Sequence, residues 1–442
     1  MRIAEILFSI IATTTLALEL RAQPGTNRVT ITPAWLSELD DELRTNHIGL
    51  QALSARTEAA RQNAAAVKTW EDPAGRLGAM AGRETKRRDD GDLLYGIEEK
   101  LPLWGKPRLT RAVAQEELRL AELNQDYQFQ LLRREFVKAA LEAAVAGRVV
   151  DLGRQDLSLI GTLTQSAEFR YGNGTGSQVD VLRLQNESAR RAAQLQNDEQ
   201  RRDHSHFALN RLLGRPIADL WPNLDLPPIA DEIPYNSRLV KLALHFEPRL
   251  KVLRQEIRKG EASVALTRKQ KYPDVMAGIE ARNFSDDSSF RQALLVFSFS
   301  LPWFNSTKYS REIKREEAKT TAATLDVKDY EQAVIEEVHH MTVAIASARR
   351  EALAYRDEII PRSEQALDSA RNAWMTNKGM FNDVMDARRM LLEAQLMYAR
   401  AVAEQYSMMA ELTLCCGLGN LPSLEMLGVS LKPEEHQHSL EN

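Results

Sequence analysis

Along most of the chain apolar residues recur at helical spacing, but four short segments alternate between apolar and polar positions instead. In the last of them Ala293, Leu295, Phe297, Phe299 and Leu301 share one face, opposite Leu294, Val296, Ser298 and Ser300. An earlier one sets Leu93, Tyr95, Ile97 and Leu101 against Gly96, Glu98 and Lys100. The other two set Leu77, Ala79 and Ala81 against Gly78, Gly82 and Glu84, and Ala277, Ile279 and Ala281 against Gly278, Glu280 and Arg282. Period two predicts strands whose odd-numbered faces are apolar; Glu99 departs from the pattern. Each segment is close to the roughly 9–11 residues of a tilted membrane strand. Polar linkers at 85–92 and 284–289 join them, and Trp104, Trp303 and Phe304 follow the strand ends as membrane-interface aromatics would. Two soluble hairpins packed on helices are the alternative. Four strands cannot close a barrel, whose smallest form has about eight, so strands facing lipid would have to share a barrel between chains.

The remaining pattern is helical and long. Residues 106–169 and 307–373 hold hardly a helix breaker, and each run would span roughly 90–100 Å at about 1.5 Å per residue. Such lengths need a coiled-coil or tunnel context. Ile359-Ile360-Pro361 predicts a kink in the second run. Each run ends in a turn, at Tyr171-Gly172-Asn173-Gly174-Thr175-Gly176 and at Thr376-Asn377-Lys378-Gly379. Gly172, Gly174, Gly176 and Gly379 are expected there because tight turns call for left-handed backbone. Half-length helices return at 177–213 and 380–416, and further helices at 33–69 and 238–271 would complete them.

The chain repeats itself. Pro73, Gly78 and Leu101-Pro102 recur 200 positions later as Pro273, Gly278 and Leu301-Pro302. Tyr171, Gly176, Asp180-Val181 and Gly214 recur 203 positions later as Trp374, Gly379, Asp383-Val384 and Gly417. A duplicated unit with a small insertion accounts for both offsets. The boundaries are a leader at 1–22, a first repeat at 23–219, a Pro-rich equatorial linker at 220–237, a second repeat at 238–420 and a polar tail at 421–442.

Composition narrows the class. Aromatics are 6% and charged residues 27%, which suits long helices better than a compact globule. A well-mixed net charge of −4 gives no reason to expect a nucleic-acid partner. The N-terminus, MRIAEILFSIIATTTLALELRAQ, has an early Arg, an apolar stretch at 6–18 and small residues at Ala17 and Ala22. It is a secretory signal peptide by pattern, or else a short amphipathic helix. Beyond it no apolar run is long enough for a membrane helix. Cys415 and Cys416 are adjacent and build neither a disulfide framework nor a zinc pattern. His204 with His206, His339 with His340, and His436 with His438 lack carboxylates or thiols at ligand spacing, so no metal site is expected. No phosphate loop or nucleophile motif suggests an enzyme or a cofactor.

Strand pair and long hairpin, repeated twice, resemble the TolC-type outer-membrane efflux factors over nearly all of the mature chain. The similarity is most specific at 171–185 and 379–387, and extends to Ile359-Ile360-Pro361, Leu213-Gly214-Arg215-Pro216 and Leu220-Trp221-Pro222. Asp72-Pro73 and residues 101–106 are similar to the CzcC-type branch associated with heavy-metal efflux. The resemblance implies a mostly α fold with a small β part: a homotrimer with a shared twelve-stranded β-barrel in outer-membrane lipid and a periplasmic α-helical tunnel. It implies docking to a periplasmic adaptor and to an inner-membrane pump of the RND type. The duct itself would be passive and need no cofactor. Asp383 and Asp386, on one helical face, match the family's acidic constriction ring; acids that merely complement a helix N-terminus are the rival reading. Tyr171, Gly172, Gly174, Gly176, Trp374, Lys378 and Gly379 form the tips expected to meet the adaptor. Trp374 and Gly379 stand where some relatives carry polar latching side chains. A secretion duct for proteins and a soluble coiled-coil scaffold are the other readings.

Overall fold

The computed structural model describes residues 28–67, 70–80, 92–284, 288–418, 421, 423 and 424. The leader, the 85–91 linker and the pair His436 and His438 lie outside them. A short strand β1 (Arg28–Thr30) leads into α1 (Pro33–Glu38), α2 (Asp40–Asn46) and α3 (Ile48–Ala66). Strands β2 (Ala74–Met80) and β3 (Asp92–Lys100) follow, then α4 (Lys106–Gly172) and its return α5 (Gln178–Leu213). After β4 (Asn223–Asp225) the order repeats with α6 (Ser237–Phe246), α7 (Pro248–Gln270), β5 (Val275–Phe284) and β6 (Phe290–Phe299). The second long run is α8 (Ser306–Ala354), a π turn at Tyr355–Ile359 and α9 (Ile360–Met375), and it returns as α10 (Phe381–Cys415).

The four long strands form one antiparallel sheet in the order β2-β3-β5-β6, so the two hairpins meet along β3 and β5. Odd positions pair with odd positions, as in Leu77 with Tyr95, Ile97 with Ile279, and Ile279 with Leu295. The apolar residues therefore share one face. The sheet is open: a single chain has edges at β2 and β6 and does not close the barrel that the resemblance implies. Its polar face is drawn tight at two glycines. A Cβ on Gly96 would lie 2.6 Å from the Ile279 carbonyl oxygen, and one on Gly278 would lie 2.8 Å from that of Ile97. Missing side chains there let the neighbouring strands close up. The gap at Gly278, opposite Glu98 in register, lets Glu98 reach Ser298 at 3.2 Å as well as Arg76 at 2.7 Å.

The main core lies at the equator, where Leu43, Phe136, Leu209, Leu213, Leu239, Leu250, Ile345 and Leu412 are wholly buried. Here the expected continuous helix at 33–69 is interrupted at Leu39 and broken at His47, and that at 238–271 is broken at Glu247. His47 and Glu247 leave helical backbone and cap the next helix, His47 Nδ1 accepting from Leu50 N–H at 3.3 Å and the Glu247 carboxylate from Leu250 N–H. The breaks make seats for the ends of the return helices. Gly214 (φ +67°) rests against the Asn46 carbonyl and Gly417 (φ +59°) against that of Phe246, where a Cβ would lie 2.5 and 2.2 Å from the oxygen. Past Gly214, Arg215 grips the Glu42 carboxylate through two bonds of 2.6 Å and stands over the Trp221 ring. Leu421 and Leu424 are buried in this core too, so the tail predicted from 421 begins as packed structure.

The predicted kink is the π turn, one turn ahead of Pro361. Buried Leu152 matches buried Ala352 at the offset of 200, whereas buried Ile160 matches buried Ser363 at 203. The three extra residues of the second repeat thus fall between 352 and 363, and the wider π turn lies in that interval and takes up part of the insertion.

Candidate functional site: the hairpin tips

The end of the molecule remote from the sheet is built by two helix-to-helix turns of the same design. In the first, Thr175 and Gly176 N–H both donate to the Arg170 carbonyl; in the second, Lys378 and Gly379 N–H both donate to that of Ala373. Gly174 (φ +71°) and Asn377 (φ +58°) take the left-handed position, residue types that tolerate it. The glycines divide the work differently from expectation. Gly174 alone of the four is left-handed, while Gly176 and Gly379 are needed for close approach, since a Cβ would come within 2.9 Å of Arg170 and 2.8 Å of Ala373. Gly172 meets neither demand.

Tyr171, Gly172, Gly174 and Lys378 are exposed, and Gly176 and Gly379 are half-buried. Trp374 differs: it is 3% exposed and packs against Phe381 at 5.7 Å in a small core with Leu163, Val181, Leu184 and Val384. It supports the tips from inside and offers no surface to a partner.

Asp383 and Asp386 are exposed on α10, at the border of the face that buries Val384 and Ala387. Asp383 accepts from the Met380 N–H at 3.3 Å, so it also serves its own helix N-terminus. Asp386 stays free of the core, 3.7 Å from Arg389, with its side chain 69% exposed. Arg183 of the first hairpin donates to Asn382 Oδ1 at 3.1 Å, which ties α5 to α10 beside the acidic pair.

A buried ionic cluster between the hairpins was not expected. Arg388 bonds both oxygens of Asp156 at 2.8 and 2.9 Å and Glu187 at 2.6 Å, with Arg388 and Asp156 almost wholly buried. Arg191 adds contacts to Asp156 at 3.2 Å and Asp198 at 3.8 Å. Burial opposes charge on Glu187, yet the guanidinium groups of Arg190 and Arg388 hold its carboxyl below the usual range. A signal existed: Val384, Arg388 and Leu391 follow one helical face, as do Leu152, Asp156, Ile160 and Leu163, each with a charge at an apolar position.

At the other end, Trp104, Trp303 and Phe304 are exposed where strands pass into helices. Trp104 stacks on Tyr272 at 5.2 Å and donates to the Pro273 carbonyl at 2.8 Å. Burial raises both cysteine thiols, Cys416 to about 12, which suits packing rather than redox chemistry. Among the described residues no three His, Cys, Asp or Glu side chains gather to hold a metal, and no helix is long and apolar enough to cross a membrane.

The sequence profile of the outer membrane efflux protein family matches residues 39–215 and 239–418, one segment in each repeat. The chain belongs to this family of outer-membrane efflux channels. It is 22% identical over 283 residues to the cobalt-zinc-cadmium resistance protein CzcC of Cupriavidus metallidurans. That alignment covers 62% of this chain and 65% of the relative, just under two thirds of its length. The fold is similar to the outer-membrane channel OprN (TM-score 0.75, 19% identity, 87% of this chain and 90% of that one). It is also similar to the outer membrane protein VceC of Vibrio cholerae (TM-score 0.72, 20% identity, 87% and 97%).

Proposed function

We propose that three copies of this chain join their open sheets into a twelve-stranded barrel in the outer membrane, continued by a helical tunnel into the periplasm. The observation that carries this reading is the bare apolar face of the sheet. Leu77, Ile97, Ile279, Leu295, Phe297 and Phe299 are each between 60% and 91% exposed, while the opposite face holds Arg76, Glu98, Glu280 and Arg282. Such a surface suits lipid outside and water inside, and edges in lipid must be paired. The protein then acts as a passive exit duct working with a periplasmic adaptor and an inner-membrane pump of the RND type. The adaptor meets the tips at the exposed residues Tyr171, Gly172, Gly174 and Lys378, with half-buried Gly176 and Gly379 beneath them.

Three copies of Asp383 and Asp386 would ring the lower tunnel and favour cations. Together with the likeness to CzcC, this supports heavy-metal cations as cargo. Purified protein should run as a detergent-stable trimer and conduct in planar bilayers; a crosslinked monomer or a soluble product would overturn the barrel. In the same recordings Asp383→Asn with Asp386→Asn should lower cation preference and relieve block by multivalent cations. Unchanged selectivity would return the carboxylates to helix-end duty.

A further inference from the structure

Arg170 crosses from the first tip turn to the second. It closes the last turn of α4, and its guanidinium lies 4.7 Å from the Trp374 ring of α9. It donates to the Trp374 carbonyl and to Asn377 Oδ1 in the second turn, and reaches the Thr175 carbonyl of its own turn at 3.5 Å. Its Nε is buried without a hydrogen-bond partner. A cation stacked on an aromatic ring and seated among carbonyls at two helix C-termini is held by charge, shape and helix dipole at once. Arginine meets all three demands because its flat fork stacks while it donates; lysine cannot. The contact runs one way, because the residue matching Arg170 in the second repeat is Ala373.

We propose that Arg170 is a positioning residue that fixes the second tip turn against the first, so that a partner meets Thr175 and Lys378 as one face. Meeting a partner rests on the adaptor reading above; the positioning itself does not. Without the guanidinium, the second turn keeps its own hydrogen bonds to Ala373 and Asn372 and the Trp374 packing on Leu163 and Val181, but loses the polar anchor that fixes its backbone to the first.

The test uses full-length protein in detergent, with spin labels on cysteines placed at Asn173 and Lys378. Labelled chains are diluted with unlabelled ones, so that distances within one chain dominate. With Arg170 present a single narrow distance is expected; Arg170→Ala and Arg170→Lys should both broaden it, with the trimer's melting unchanged. An unaltered distribution in Arg170→Ala would overturn the proposal. If that variant fails to assemble, Arg170→Lys, which keeps the charge, gives the same decision. In cells, crosslinking to the adaptor from position 378 should fall at least about tenfold in Arg170→Ala, the scale of one lost charge-assisted bond. Crosslinking from position 175 should fall less. Equal yields from both positions in a broadened variant would overturn the single-face claim. No crosslink from either position with Arg170 intact would reject adaptor docking here and leave the distance measurement to judge Arg170.

Discussion

The two repeats share their backbone devices and differ in their charges. Non-helical caps at His47 and Glu247, left-handed glycines at Gly214 and Gly417, and the twin turn hydrogen bonds to Arg170 and Ala373 recur almost residue for residue. Charge does not follow. Arg388 matches Gln185, Arg170 matches Ala373, and the acidic pair Asp383 and Asp386 matches Asp180 and Arg183. Duplicated geometry builds the walls, whereas unduplicated charge makes one hairpin grip the other and gives one helix its acidic face.

Breaking the unduplicated charge should have the largest effect. Arg388→Met leaves Asp156 buried without its main partner and should cost about 3–5 kcal/mol in chemical denaturation of the detergent-solubilised protein. The matching change Gln185→Met should stay within about 0.5 kcal/mol. Equal losses at both positions would erase the asymmetry.

The shared devices are tested by symmetry. Gly214→Ala and Gly417→Ala each add a Cβ in left-handed backbone against a carbonyl oxygen, so each should cost more than about 2 kcal/mol. Their costs should agree more closely with each other than with Gly172→Ala, where a Cβ meets open space. Melting temperatures of the three variants decide it.

The smallest effects belong to the turns. Gly174→Asn copies the second turn into the first and should cost less than about 1 kcal/mol. Asn377→Gly copies the first into the second; it relaxes the backbone but removes an acceptor from Arg170, so no net gain is expected. A stabilisation near 1 kcal/mol, the full backbone benefit, would show that the Arg170–Asn377 contact contributes little.

Elements with strong periodicity were legible in the sequence: the strand faces, the long helices, both turns and the two half-length returns. What escaped were features in which a local signal is overridden by a distant contact. The breaks at His47 and Glu247 sit inside good helical patterns and exist because Gly214 and Gly417 must reach the carbonyls of Asn46 and Phe246. Proline at 248 was a visible hint; near position 47 the hint was the weaker one of Gly49, where a Cβ would lie 2.7 Å from the His47 ring. Trp374 reads as an exposed tip residue until Phe381 and Arg170 are seen around it. Arg388 and Asp156 were findable as charges in apolar stripes, but their pairing needed the fold. The order Pro361-after-π-turn shows the same limit, since a proline marks the neighbourhood of a bend and an insertion sets its form.

The bare face of the sheet has a bearing on how the protein is made. In the proposed assembly other chains and lipid cover it; before that, each polypeptide carries a broad greasy surface and two unpaired strand edges, the combination that seeds aggregation. Nothing in the equatorial core hides that surface, because core and sheet lie at different levels of the molecule. On the proposed reading, transit through the periplasm is the hazardous stage of this protein's life, when the strands need shielding until delivery. Overproduction without export should yield inclusion bodies even though the helical part is well packed.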